Sequence, residues 1–157
     1  MPEQTLIVSR VIPAPVDQVW DVLTDLSRVA DRLTGIDSVH IMTSGPYAVG
    51  TRWRETRTFF GRAATEEMWV RRNDPLRSTV VEASSHGTDY STTWTLADAG
   101  PGTGTELTMT FTGTSPDGGI SGKLSRLMGP IGLRATRKAT EQDFNDIERA
   151  AVAFQSA

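Results

Sequence analysis

Residues 8–25, VSRVIPAPVDQVWDVLTD, change character halfway along. From about Gln4 to Ile12 the chain is β-branched and apolar on both faces, which reads as a strand covered by other elements on each side. Pro13-Ala14-Pro15 stops it. Pro15 suits the first turn of a helix and Asp17 complements the positive end. Val16, Val19, Trp20 and Leu23 then fall at i, i+3, i+4 and i+7, so an amphipathic helix is expected from about Pro15 to Asp25, anchored by Trp20. A second helical turn is expected around Ser27–Leu33.

Between Ser38 and Phe111 the periodicity changes to two, with turn residues at Ser44-Gly45-Pro46, Gly50, Gly61, Asn73-Asp74-Pro75, Gly87 and Asp98 to Gly104. That spacing predicts an antiparallel meander of about six strands. Tyr90, Thr92, Trp94 and Leu96 share one face of a strand, and Leu107, Met109 and Phe111 one face of the next; both sets are expected inward. Helical spacing returns after Ser115-Pro116-Asp117-Gly118-Gly119. Leu124, Leu127, Met128, Ile131 and Ala135 form one stripe, and Phe144, Ile147, Ala151 and Phe154 another. Gly129-Pro130 interrupts this long helix, because proline removes a backbone donor and clashes with the preceding turn.

Composition narrows the chemistry. The 157 residues fit one domain, 1–157, and 38% hydrophobic with 22% charged residues is too apolar for disorder and too polar for a membrane protein. No apolar run reaches the roughly 18 residues that span a bilayer, and Met1 to Thr5 lacks a basic n-region, so a cytoplasmic protein without membrane insertion is expected. Sixteen basic against nineteen acidic residues, a net charge of -3, give no global attraction to nucleic acid. The arginines at 52, 54, 57, 62, 71, 72 and 77 alternate with acids and aromatics, as on a solvated sheet face. There is no cysteine, and neither His40 nor His86 has a metal-ligand companion at i+2 to i+4, so no metal site is expected. Ser85-His86 lacks a Gly-x-Ser-x-Gly elbow, and Gly100-Pro101-Gly102-Thr103-Gly104 lacks the lysine of a phosphate loop.

A strand, a helical pair, a six-strand meander and a long C-terminal helix is the element order of the helix-grip fold. VSRVIPAPVDQVWDVLTD resembles the start of the START-like (SRPBCC) superfamily. The later pieces VGTRWRETRTFFG, VRRNDPLR, YSTTWTLAD and GTGTELTMTF, with the terminal helix, are similar to its polyketide cyclase/dehydrase-like branch. The resemblance implies an α+β, Bet v 1-like fold: an antiparallel sheet of about seven strands wrapped around the long helix, with an internal cavity. It also implies ligands such as lipids, sterols, plant hormones or polyketides, and for some members cyclase activity.

On the strand from Arg52, alternation puts Trp53, Glu55, Arg57 and Phe59 on one face, read as inward. Trp53 and Phe59 then line the pocket. Glu55 and Arg57 either orient a ligand carbonyl or move protons; the alternative is a rim ion pair worth no more than a surface salt bridge. Met68, with Glu66, is expected to face the pocket rather than Trp69, strand register deciding between them. Tyr90 either donates its phenol to a ligand or reaches water at the rim. Trp94, Met109 and Phe111 from the meander, with Leu127, Met128, Ile131 and Ala135 from the helix, complete the expected ligand-binding set. The loop Ser44–Gly50 is expected to gate the cavity, and a kink at Pro130 to let Gly118–Pro130 swing as a lid.

The expected function is binding of a small hydrophobic ligand, aromatic, polyketide-like or lipid, without a cofactor. A polyketide cyclase or dehydrase using Glu55, Arg57 and Tyr90 is the alternative, and a protein-interaction module of the chaperone-activator type the second. The chain is expected to be a monomer or homodimer.

Overall fold

The computed structural model describes residues 3–59, 61–85, 88–114 and 130–154. In chain order the elements are β1 (Glu3–Ile12), α1 (Val16–Thr24), α2 (Val29–Arg32), β2 (Ser38–Ile41), β3 (Arg52–Phe59), β4 (Arg62–Asp74), β5 (Ser78–Ser85), β6 (Thr88–Asp98), β7 (Thr105–Thr114) and α3 (Pro130–Ala153). The strands form one antiparallel sheet in the order β1-β7-β6-β5-β4-β3-β2, a meander closed on one side by the return of β1 to β7. The turn-forming residues therefore sit where the meander requires them. At Gly104 φ is +117°, and a side chain there would run into the carbonyl of Ile12, so the β6–β7 turn can pass β1 only as glycine. Thr105 Oγ1 donates to the Ala14 carbonyl at 2.8 Å, tying the same corner to the start of α1.

Two local expectations are corrected. β1 is an edge strand, not one covered on both faces: Leu6 and Ile12 enter the core while Ile7 is 57% exposed on the side away from the helices. Its β-branched residues stabilise the extended backbone whichever face they occupy. On α1 the anchors are the fully buried Val19 and Val22, with Trp20 only partly buried, because the inner face is centred on the smaller side chains.

The solid core fills one half of the curled sheet, where Leu6, Ile12, Val19, Val22, Leu107, Phe144, Ile147 and Ala151 pack together. Trp94 and Phe144 meet across it with ring centroids 5.8 Å apart. The other half, along β3 to β6, is spanned by the N-terminal part of α3 and is not filled. β4 bends here: Val70 pairs with Val81 and Arg72 with Val80, so Arg71 is an extra residue in a bulge. Pro130 begins the described part of α3, and the rest of the expected lid segment Gly118–Pro130 lies outside the described residues. Among the described residues no helix is long and apolar enough to cross a membrane.

One buried carboxylate fixes α3 against the chain entering β2. Asp146 accepts from the Thr34 backbone N–H and hydroxyl, each at 2.8 Å, from Gln142 Nε2 at 3.1 Å, and pairs with Arg149 at 2.9 Å. Burial alone would raise its pKa, but the donors of Thr34, Gln142 and Arg149 outweigh that and hold it below the ordinary carboxylate value. Asp146→Ala is therefore expected to lower stability at neutral pH by about 3 kcal/mol, since it strands buried donors. The stabilisation from a depressed pKa is present above the unfolded-state value and lost as pH falls through the folded one, so the gap between wild type and variant should narrow in strong acid. Urea midpoints at neutral and acid pH measure both.

Candidate functional site

The unfilled half of the molecule is a cavity of about 250 Å³ between the concave face of the sheet, α2 and α3. Alternation on each strand decides what reaches it. From β3 come Trp53, Glu55, Arg57 and Phe59; from β4 Glu66 and Met68; from β6 Tyr90, Thr92 and Trp94; from β7 Met109 and Phe111. Trp53 stands opposite Met68 in the β3–β4 register, which fixes Met68 as the inward residue. Trp69 lies on the other face, under the Arg52 guanidinium at 4.9 Å, with its indole N–H on Glu82. Tyr90 is buried and its ring stacks on Phe111 at 5.7 Å.

The helical wall departs from the expected stripe. Thr136, Ala139, Thr140 and Asp143 line the cavity, at helical spacing on one face of α3. Ala135 is half-buried beside that face and does not line the described wall, because the inward face is turned by one residue from the apolar stripe. Leu127 and Met128 lie outside the described residues, and Ile131 lies in α3 where only the backbone is described.

Polar groups gather at one place in this apolar space. Arg57 Nε donates to Glu55 Oε1 at 2.7 Å, and Arg57 NH1 donates to Asp143, 3.2 Å from Oδ1 and 3.0 Å from Oδ2. The Trp53 indole N–H reaches Glu55 Oε2 at 3.3 Å. Glu55 and Asp143 are buried, and Arg57 is largely so, which makes this an interior cluster rather than a rim ion pair. Gly35 closes over it: a Cβ there would sit 3.1 Å from Asp143 Oδ1 and 3.2 Å from Arg57 NH1. Burial works against the charge on Arg57, but Asp143 and Glu55 outweigh it and raise its pKa. For Asp143 burial dominates; helped by the charges of Glu55 and Asp146, it overcomes Arg57 and pushes the carboxyl up to about 6.

Among the wall residues that sequence reading missed are Asp143, with Thr136, Ala139 and Thr140 on the same helix face, and Tyr47. Asp143 belongs to a stripe of small and polar residues that looks like a solvent face, and only the position of α3 over β3 reveals its partner. Tyr47 lies in the loop expected to gate the cavity; its hydroxyl is 2.7 Å from Thr79 Oγ1 and its ring centroid 6.4 Å from that of Trp53. Burial, only partly offset by Thr79, pushes the Tyr47 pKa up to about 12. Leu26, Leu33 and Ile36, around the short α2, complete this end of the wall. His40 is on the exposed edge strand β2, and His86 lies outside the described residues. Among the described residues no three His, Cys, Asp or Glu side chains come together as metal ligands.

Comparison with solved structures places this architecture among helix-grip proteins. The Zhui aromatase/cyclase from Streptomyces sp. R1128 superposes with a TM-score of 0.76 at 18% identity, over 96% of this chain and 94% of that one. TTHA0849 from Thermus thermophilus gives 0.74 at 22% identity, over 97% and 98%. Ara h 8.0201 gives 0.71 at 14%, over 97% and 99%. These identities establish a shared fold alone. No curated protein matches the sequence. The sequence profile described as "Polyketide cyclase / dehydrase and lipid transport" matches residues 3–145, nearly the whole chain, and the protein therefore belongs to that family.

Proposed function

We propose that the protein binds a small hydrophobic molecule, with an aromatic, polyketide-like or lipid body, in the cavity between sheet and α3. The observation that carries this reading is the cavity itself: a largely apolar wall into which a buried Glu55, Arg57 and Asp143 cluster is set. Such an arrangement separates the two tasks of a binding site. Apolar burial supplies affinity, at about 25 cal/mol per Å² before the costs of association, and the polar end supplies orientation. The family to which the chain belongs is described by both cyclase/dehydrase activity and lipid transport, which agrees with an enclosed apolar ligand.

A second reading, cyclase or dehydrase activity, is favoured by one observation. Asp143 is a buried acid poised near neutral pH and in contact with a guanidinium. In that reading Arg57 polarises a substrate carbonyl, Asp143 or Glu55 takes a proton from the adjacent enolisable carbon, and the wall holds the reacting carbons together. Tyr90 is a further proton donor on the same wall. The Zhui neighbour, an aromatase/cyclase, lends the reading support at the level of the fold.

A thermal-shift panel of sterols, fatty acids, flavonoids and aromatic polyketides tests binding directly. A true ligand at roughly a hundred times its Kd should stabilise the fold by about 2.7 kcal/mol. Ala139→Phe, which fills the cavity from α3, should abolish that shift while leaving the unliganded protein folded; a ligand that stabilises wild type and variant alike binds elsewhere, and the reading falls. Turnover of a bound polyketide by wild type, lost in Asp143→Asn at unchanged Kd, would establish catalysis.

The Asp143 environment also predicts a pH signature. Its folded pKa of about 6 lies above the ordinary value of 3.8, so the folded state holds this proton more tightly than the unfolded chain. The contribution is complete below the unfolded value and is lost as pH rises through the folded one. Wild type should therefore lose stability relative to Asp143→Asn between about pH 4 and pH 7. Urea midpoints across that range supply the test, and a constant difference would contradict a buried, raised acid.

A further inference from the structure

Among the described residues, the charges of the Glu55, Arg57 and Asp143 cluster do not balance. Arg57 is the one cation among the described wall residues, and it is already shared by two buried carboxylates, with Nε on Glu55 and NH1 on Asp143. With both carboxyls ionised, those three groups sum to one negative charge. Glu82 also borders the space, but its Oε1 accepts from the Trp69 indole on the far side of the sheet.

Two consequences follow for anything that brings a polar group here. A carboxylate head would compete with Glu55 and Asp143 for one guanidinium and add like charge where the dielectric is low. A donor meets the opposite situation. An ionised carboxylate has about four acceptor positions. Among the described residues Glu55 receives Arg57 and Trp53, while Asp143 receives the Arg57 NH1 group, so acceptor capacity remains on both. Arg57 is neutralised in place, and its structural task is to keep two carboxylates together beside the apolar space.

We propose that this end of the cavity selects ligands whose polar group is a hydrogen-bond donor without negative charge, a protonated amine or a phenol on an apolar body, and discriminates against carboxylates. The inference rests on the ligand-binding reading above and names the ligand class for that same cavity. Fatty and aromatic acids are thereby poor ligands, although their hydrocarbon portions fit the wall.

Four probes that share one two-ring body isolate the polar group: 2-naphthylmethylamine, 2-naphthol, 2-naphthoic acid and 2-methylnaphthalene. Their Kd values, measured by calorimetry on the full chain at about pH 7.5, are expected to place the amine and the phenol at least tenfold tighter than the carboxylate. Glu55→Gln keeps the shape of the side chain and removes its charge, so the penalty on naphthoate should shrink about tenfold relative to the amine. Asp143→Asn makes the same test from the helix side if the first variant does not fold. Naphthoate binding as tightly as the amine or the phenol would overturn the selectivity and leave the cavity as a binding site. Binding of the hydrocarbon alone would do the same. Failure of all four probes to bind would remove the ligand-binding reading, and this inference with it.

Discussion

A helix laid across a concave sheet must be fixed at its far end if a space is to persist beneath its near end, and in this protein Asp146 provides the fixing. Its carboxylate takes both donors of Thr34 and ties α3 to the segment that leads into β2. Phe144, Ile147 and Ala151 pack into the solid core on either side of it. One turn earlier, Asp143 reaches Arg57 on β3. Were α3 to rotate or slide, the latch, the core contacts and the ion cluster would all be lost together. The cavity is thus a by-product of a docking geometry stabilised elsewhere.

The two aspartates show how one helix face supports opposite electrostatics. Asp146 is surrounded by donors and stays ionised; Asp143 is surrounded by other carboxylates and apolar wall, and its cationic partner Arg57 is shared. They are three positions apart. What differs is the opposing surface: a backbone N–H and a hydroxyl in one case, an arginine already bonded to Glu55 in the other. The two acids are distinguished here by what faces them across the interface.

Most of the sheet was legible because its signals are local. Turn residues mark the ends of the meander, and strict alternation identified Trp53, Glu55, Arg57, Phe59, Tyr90, Trp94, Met109 and Phe111 as one continuous inner surface. Even the choice of Met68 over Trp69 followed from alternation once its register with β3 was known. The helical side was less legible. Apolar periodicity finds the face of a helix that meets a filled core, and Phe144, Ile147 and Ala151 were found that way. The face over a cavity need not be apolar, and the Thr136, Ala139, Thr140, Asp143 stripe resembles one turned to water. Tyr47 was hidden for a related reason: a loop has no period, so its contact with Thr79 depends wholly on the tertiary fold.

The bulge on β4 gives the chain an asymmetric tolerance to changes in length. Because Val70, Arg72, Asn73 and Asp74 pair with Val81, Val80, Thr79 and Ser78 in unbroken order, a chain lacking Arg71 could form the same ladder. Every inward side chain would keep its side. What would be lost is the local bend and extra twist that a bulged strand imposes, where Thr79 bonds the Arg72 carbonyl and receives Tyr47. Homologues one residue shorter at this point would therefore align without a shift of frame and yet enclose a differently shaped space, so that a single codon gained or lost retunes the chamber while the pairing map is inherited intact.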